Sequence, residues 1–246
     1  MMKMAPGTVD FTEIFDEYLE AKREDRDRQI GVYYPSEISF PCLRSLFLRY
    51  KHPEPPKKTL MRRFYKGDLW HNVMQTILGE NRRVTLVEKE KSVRVDVGGF
   101  SLHGRLDALI MEPQRQQKYV VEIKTIEAFK YLNHGSGQYQ PVPLPKEEHL
   151  AQLMFYLKCV GDAEGGLLLY IQKNRFFDEE PFKWFTVKFD GDIYDRMVER
   201  AAELHGFLVD GRLPPPEPQH WNGKVCGYCP YGDETGNGLC RKLKGW

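Results

Sequence analysis

Apolar and polar positions alternate most clearly between residues 83 and 126, where "RVTLVEKEKSVRVDV", "FSLHGRLDALIM" and "KYVVEIKTI" carry the period of two expected of β-strands. Gly98-Gly99 and the polar run "EPQRQQ" separate these segments and favour hairpins. Upstream, "YYPSEISFPCLRSLFLRY" reads as a short turn entering a helix near Ser36 or Pro41, and "KHPEPPKK" interrupts it. A second helix is predicted from Thr59 to about Glu80, with Leu60, Phe64, Leu69, Val73, Ile77 and Leu78 supplying its apolar stripe. Downstream, "NHGSGQYQPVPLP" has the composition of a loop and "KEEHLAQLMFYLKCV" is an amphipathic helix. "GGLLLYIQK" and "PFKWFTVKF" follow as strands, and a last helix runs from about Asp192 to Leu208. Helices, a meander, a helix, strands and a helix make a mixed α/β sheet. The chain contains no internal repeat.

Inside the third strand, "VVEIKT" places Glu122 and Lys124 on one face, while Val121, Ile123 and Thr125 point to the other. Asp107, in "HGRLDALI", lies ahead of the turn that returns into Glu122-Ile123-Lys124. Adjacent antiparallel strands can therefore bring the three side chains together. Two converging carboxylates repel unless a cation sits between them, and Mg²⁺ or Mn²⁺ prefers oxygen ligands. A neighbouring lysine can position a nucleophilic water and stabilise charge developing on a phosphate. That combination suits phosphodiester hydrolysis, although an isolated E-x-K is far more often an ordinary solvated strand face. His103 sits four residues before Asp107 and shares its face by alternation, as a neighbour with no assigned role.

Composition adds bounds. With 246 residues, 41% of them hydrophobic and 13% aromatic, the chain can fill a sizeable core. Thirty-six Lys and Arg against 35 Asp and Glu leave a net charge of +1, so any basic surface must be local. No apolar run approaches the roughly 18 residues that span a bilayer, and the first residues lack the apolar core of a signal peptide. A cytoplasmic protein is expected. Residues 9–29 are heavily charged and suggest a surface helix or loose arm, whereas the tail from "LPPPEPQHW" onward is too poor in apolar residues to hold a fold by burial alone.

That tail carries Cys226, Cys229 and Cys240 as C-x2-C-x10-C, with Cys42 far upstream and Cys159 inside the long helix. An odd count of five opposes a disulfide framework, and the clustered cysteines suggest a metal. Three thiolates leave a fourth position, for which Cys42 is the best candidate, while Cys159 packs as a small hydrophobe. Spacing alone leaves zinc and an iron-sulfur cluster open. Between Pro41 and Lys66, eight basic residues face one acid, Glu54, and are interleaved with Phe47, Tyr50, Phe64 and Tyr65. Arg44, Arg49, Lys51, Lys57, Lys58, Arg62, Arg63 and Lys66 suit a single-stranded nucleic-acid track, with a solvated helix face as the equally weighted alternative. No phosphate loop of the G-x-x-x-x-G-K-[ST] type is present, so the chain has no evident ATP motor and is suited to single-stranded ends or overhangs.

Asp107, a turn and Glu122-x-Lys124 resemble the PD-(D/E)xK nuclease superfamily, and further residues resemble its RecB-like branch. His71 in "KGDLWHNVMQ" lies where that branch has a metal-binding histidine, and "QLMFY" supplies Gln152 and Tyr156 of a Q-x-x-x-Y motif. Gln152 and Tyr156 share a helix face, which His149 extends. The series Cys42, His71, Asp107, Glu122, Lys124, Gln152, Tyr156, Cys226, Cys229 and Cys240 is similar to the CRISPR-associated RecB-like exonuclease family and its phage relatives, over about residues 34–243.

The resemblance implies a restriction-endonuclease-like core with a mixed β-sheet flanked by helices. It divides the chain into an N-terminal arm or helix (1–30), a nuclease domain (31–213) and a C-terminal cluster segment (214–246) completed by Cys42. It implies Mg²⁺ or Mn²⁺ held by His71, Asp107, Glu122 and the Ile123 carbonyl, with Lys124 assisting the water and Gln152 and Tyr156 orienting the lysine or the strand. A structural [4Fe-4S] cluster on the four cysteines is implied over zinc. The implied activity is single-strand DNA exonuclease cleavage, most often 5′ to 3′ and sometimes with endonuclease cleavage, in preparing fragments for CRISPR spacer acquisition with integrase proteins. The competing expectations are a non-catalytic DNA-binding scaffold, against which the intact acid, acid, lysine set argues, and a zinc-stapled nuclease of phage recombination or repair. Oligomeric state is left open.

Overall fold

The computed structural model describes residues 9–23, 28–133, 137–174, 180–217, 226, 229–232 and 236–243. Its centre is a six-stranded mixed sheet. The long strands β2 (Thr85–Val97) and β3 (Phe100–Glu112) form an antiparallel hairpin through Gly98 and Gly99, which hold positive φ of 37° and 108°. Strand β4 (Gln117–Ile126) returns antiparallel to β3, and β7 (Gly165–Gln172) runs parallel to β4, so a crossover must connect them. That crossover contains helix α5 (Glu147–Val160). Strand β8 (Phe182–Val187) closes the far edge antiparallel to β7.

The register explains where the sheet opens. β2 pairs along nearly the whole of β3. The other edge of β3 is shared: the short strand β1 (Val32–Tyr33) pairs with Ser101 and Leu102, and β4 pairs from Ala108 to Glu112. Residues 103–107 lie between these two ladders. Their polar groups must find other partners, because unpaired buried backbone is costly.

Helices cover both faces. On one face α5, α6 (Gly191–Asp210), α2 (Pro35–Ile38) and α3 (Leu43–Lys51) enclose the main core around Leu46, Leu106, Leu153, Phe155, Tyr170 and Leu204. Close approach of α5 depends on glycine: a Cβ on Gly104 would lie 2.7 Å from the Phe155 ring, and one on Gly166 would lie 2.7 Å from Leu153. The opposite face carries a smaller core, with Met74 of α4 (Lys58–Glu80) over Ala108, Ile110, Val121, Ile123 and Ile171.

The predicted stripe on α4 is corrected by this packing. Leu60, Phe64, Leu69, Val73 and Ile77 are 37–55% exposed; Leu78 alone of that set packs, beside Met74 and Trp70. Apolar residues occur around much of this helix, and the sheet selects the face that also carries His71 and Gln75. The segment expected to be a loop contributes a strand, β6 (Gln138–Pro141), which pairs antiparallel with β5 (Lys130–Asn133), the strand that leads into it. The charged N-terminal stretch forms α1 (Phe11–Ala21), capped by Asp10. Asp16 of α1 accepts two hydrogen bonds from Arg62, and Phe15 and Tyr18 meet Tyr65 edge-on. Among the described residues no helix is long and apolar enough to cross a membrane.

The C-terminal segment docks on α3. Tyr231, 1% exposed, donates to the His52 carbonyl, and a short helix α7 (Leu239–Lys242) follows it.

Candidate active site

Beyond Ala108 and Val121 the β3–β4 ladder ends, and the Asp107 side chain replaces it. Its Oδ2 accepts the Ile123 N–H at 2.7 Å, and its Oδ1 lies 3.1 Å from His71 Nδ1. The same carboxylate thus bridges a splayed strand pair and reaches α4. Glu122 is 1% exposed, and neither of its oxygens has a hydrogen-bond partner among the described residues. The Lys124 ammonium stands 2.5 Å from Glu122 Oε1, in ion-pair contact without hydrogen-bond alignment.

Electrostatics follow from two acids sharing one ammonium in a largely buried site. Burial first, and then the Asp107 charge, push the Glu122 carboxyl up to about 7 despite Lys124. For Lys124 burial works in the opposite sense, but Glu122 and Asp107 together outweigh it and raise its pKa. Burial also opposes the His71 imidazolium, and the Asp107 bond and charge overcome it, so the His71 pKa is raised.

A directional chain then fixes Lys124. Its ammonium donates to Gln152 Oε1 at 2.8 Å, Gln152 Nε2 donates to the Tyr156 hydroxyl at 3.0 Å, and Tyr156 donates to the Arg105 carbonyl at 3.0 Å. Donors and acceptors alternate without conflict, and the last acceptor belongs to the stretch of β3 that is paired with β2 but has no partner on its β4 side. Gln152 and Tyr156 lie one turn apart on α5, as their spacing predicts.

His149 turns to Tyr170, 2.9 Å from its hydroxyl, which also receives the Lys146 N–H. Burial, followed by the Lys124 and Lys146 charges, lowers its pKa to about 3, so it is neutral. His103 bonds Ser101 at 2.9 Å and stays outside the cluster.

The expected nucleic-acid track is partly corrected. Arg44, 2% exposed, donates to the carbonyls of Pro214 and Cys240, and Phe47 is core. Tyr50 donates to Val32, Arg49 lies over Phe40, and Arg62 is held by Asp16. Phe64 is exposed on the helix face of His71, seven residues before it, and Lys66 reaches Asn174 at 3.2 Å. Arg44 and Phe47 were absorbed by docking of the tail, which local charge density does not reveal.

The cysteine set converges in part. Cys42 precedes α3, and burial pushes its thiol up to about 11, with Glu217, Cys229 and Cys240 near enough to add to the shift. Cys229 Sγ is 3.5 Å from Ser45 Oγ, and its N–H donates to the Cys226 carbonyl in a tight turn. Cys159 is half-buried in α5. Among the described residues no three His, Cys, Asp or Glu side chains are close enough to grasp a single ion. Residues missed by sequence reasoning include Gln75, whose amide donates to the Asp107 carbonyl at 2.9 Å. Its position one turn after His71 was an available signal.

A fold of this topology, with an acid, an acid and a lysine at the splay between two antiparallel strands, defines a class of nuclease. The PD-(D/E)XK nuclease superfamily profile matches residues 42–233, and the chain belongs to that superfamily. Nucleases of this superfamily commonly use Mg²⁺ or Mn²⁺. Among solved structures, that of SSO0001 is 22% identical, aligns over 91% of this chain and 95% of that chain, and has a TM-score of 0.56, a likeness of fold. LHK-Exo in complex with dAMP (13% identity, 74% and 90% coverage, TM-score 0.45) and a candidate exonuclease from Eubacterium rectale (10%, 100% and 95%, 0.47) also align. A comparison with curated proteins finds no match.

Proposed function

We propose that this protein is a divalent-metal-dependent nuclease that trims single-stranded DNA ends. The observation that carries the reading is Glu122, a carboxylate sealed from solvent whose oxygens accept no aligned hydrogen bond and which shares the single Lys124 ammonium with a second carboxylate, so that the pair is short of positive charge. Such a group is stable only with a cation or a proton. Asp107, Glu122, His71 and the Ile123 carbonyl would hold Mg²⁺ or Mn²⁺ once its charge draws them closer than they stand here, where no three such side chains among the described residues are near enough to share an ion, and the bound ion would supply charge that polarises the phosphate and acidifies water.

Lys124 donates to Gln152 in the resting site, where the charges of Glu122 and Asp107 favour its ammonium form, and that ammonium would steady the attacking water and the charge growing on the phosphate. Gln152 and Tyr156 are positioning residues, since they act through Lys124. Phe64, exposed on the His71 side of α4, and Lys66, which reaches Asn174, would offer a stacking ring and a phosphate-neutralising charge to an unpaired strand.

Cys42, Cys226, Cys229 and Cys240 would hold a structural [4Fe-4S] cluster, in which each thiolate serves a different iron and wider sulfur spacing is tolerated than around one ion. Burial of Cys42 beside Cys229 and Cys240 supports this reading. Similarity to the CRISPR-associated RecB-like family extends the reading to exonucleolytic trimming, 5′ to 3′, of fragments handed to integrase proteins. End-labelled single-stranded and blunt duplex oligonucleotides, incubated with Mn²⁺ or chelator, test it. Progressive shortening of the single strand only with metal, absent in Asp107→Ala, is expected; undiminished cleavage by that variant overturns the assignment.

A further inference from the structure

Among the described residues two non-glycine positions hold positive φ, Gln116 and Glu90. Gln116 stands in the turn before β4, where that conformation is ordinary. Glu90, at +51°, lies in the middle of β2 between the Lys89–Ala108 and Lys91–Leu106 pairs, and so across from Asp107. A strained residue inside a paired strand calls for a compensating interaction.

Its carboxylate provides one. Glu90 Oε1 accepts from Gln75 Nε2 at 2.5 Å, and Oε2 takes the Arg105 Nε at 2.6 Å. The same Gln75 nitrogen donates to the Asp107 carbonyl at 2.9 Å, which uses both of its hydrogens and fixes the amide. Gln75 is 4% exposed, whereas Arg105 is 63% exposed, so an ion pair at the surface would not by itself account for the geometry.

We propose that Gln75 and Glu90 are positioning residues that set Asp107 for metal binding. Helix α4 grips Asp107 twice, its carboxylate through His71 and its carbonyl through Gln75, where β3 has lost its β4 partner. Glu90 stops the Gln75 amide from rotating away. The inference rests on the reading of Asp107 as a metal ligand.

Calorimetric titration of Mn²⁺ into the full chain, paired with kcat and KM for single-stranded DNA, tests it. Glu90→Gly removes the carboxylate and relieves the backbone, so its Tm should not fall. Its Mn²⁺ Kd should rise, and its kcat fall, by about tenfold or more, with KM within about twofold of wild type. Gln75→Met, which cannot donate, should lose the same binding and decides the matter should Glu90→Gly misfold. Glu90→Gln keeps an acceptor for Gln75 and should retain most Mn²⁺ affinity. A folded Glu90→Gly or Gln75→Met with wild-type Mn²⁺ affinity overturns the clamp. Asp107→Ala separates the two levels: if it binds Mn²⁺ as wild type does, the ligand assignment itself has failed.

Discussion

Replacing Glu122 with Gln in the metal-free protein should abolish a large part of its pH-dependent stability. The Glu122 carboxyl is raised from 4.5 to about 7 in the folded chain. The folded state therefore holds this proton more tightly than the unfolded chain, and stability present at low pH is lost as pH rises through about 7. Full ionisation costs roughly 3 kcal/mol, of which roughly 2 kcal/mol returns between about pH 8 and about pH 5.5. For a chain of this size that is a rise in Tm of roughly 4–8 °C on acidification.

His71, also raised, acts in the same direction, so the readout is the difference between wild type and Glu122→Gln, measured by calorimetric or circular-dichroism melts in chelator. Saturating Mn²⁺ at about pH 8 should restore the wild type, because a ligand binding only the folded state adds stability, and should leave the variant unchanged. Parallel pH profiles for the two proteins would refute the argument that Glu122 is a strained, proton-seeking carboxylate.

Other substitutions probe separate parts of the site. Lys124→Met should lower kcat for DNA cleavage by about 10²–10³ while calorimetry still records Mn²⁺ binding, because the role proposed for the ammonium is to act on developing charge, apart from the proposed metal ligands. Gly104→Ala sets a Cβ 2.7 Å from the Phe155 ring and 2.8 Å from that of Tyr156. Overpacking should cost about 1–3 kcal/mol in urea unfolding and, by tilting Tyr156 away from Arg105, reduce kcat more than it alters KM. Cys42→Ser should bleach the visible absorption of anaerobically purified protein and lower its Tm, whereas Cys159→Ser should leave the colour intact.

The order of the elements, the alternation in β2 to β4 and the i, i+4 spacing of Gln152 and Tyr156 were legible because each is local. Strand and helix periods place side chains within a segment, and the turns between 97 and 118 admit little besides antiparallel pairing. The acid, acid, lysine set could be read for the same reason, since Asp107 and Glu122 are neighbours across one hairpin.

What sequence could not settle depends on contacts far apart along the chain. Its helical period offered α4 several apolar stripes, and only the sheet beneath chose the one with Met74, His71 and Gln75. Arg44 looked like a phosphate ligand until Pro214 and Cys240, about 170 and 196 positions away, took its hydrogens. The positive φ of Glu90 has no signature in a strand-like run, because it answers to the amide of Gln75 on another element. The sequence by itself determined the strand and helix sequence, the candidate acids and lysine, and the cysteine spacing, since covalent neighbours and short turns decide those. Tertiary structure alone decided which charges are buried, which helix face is spent on the core, and where β3 parts from β4, because desolvation and packing are set by residues distant in the chain.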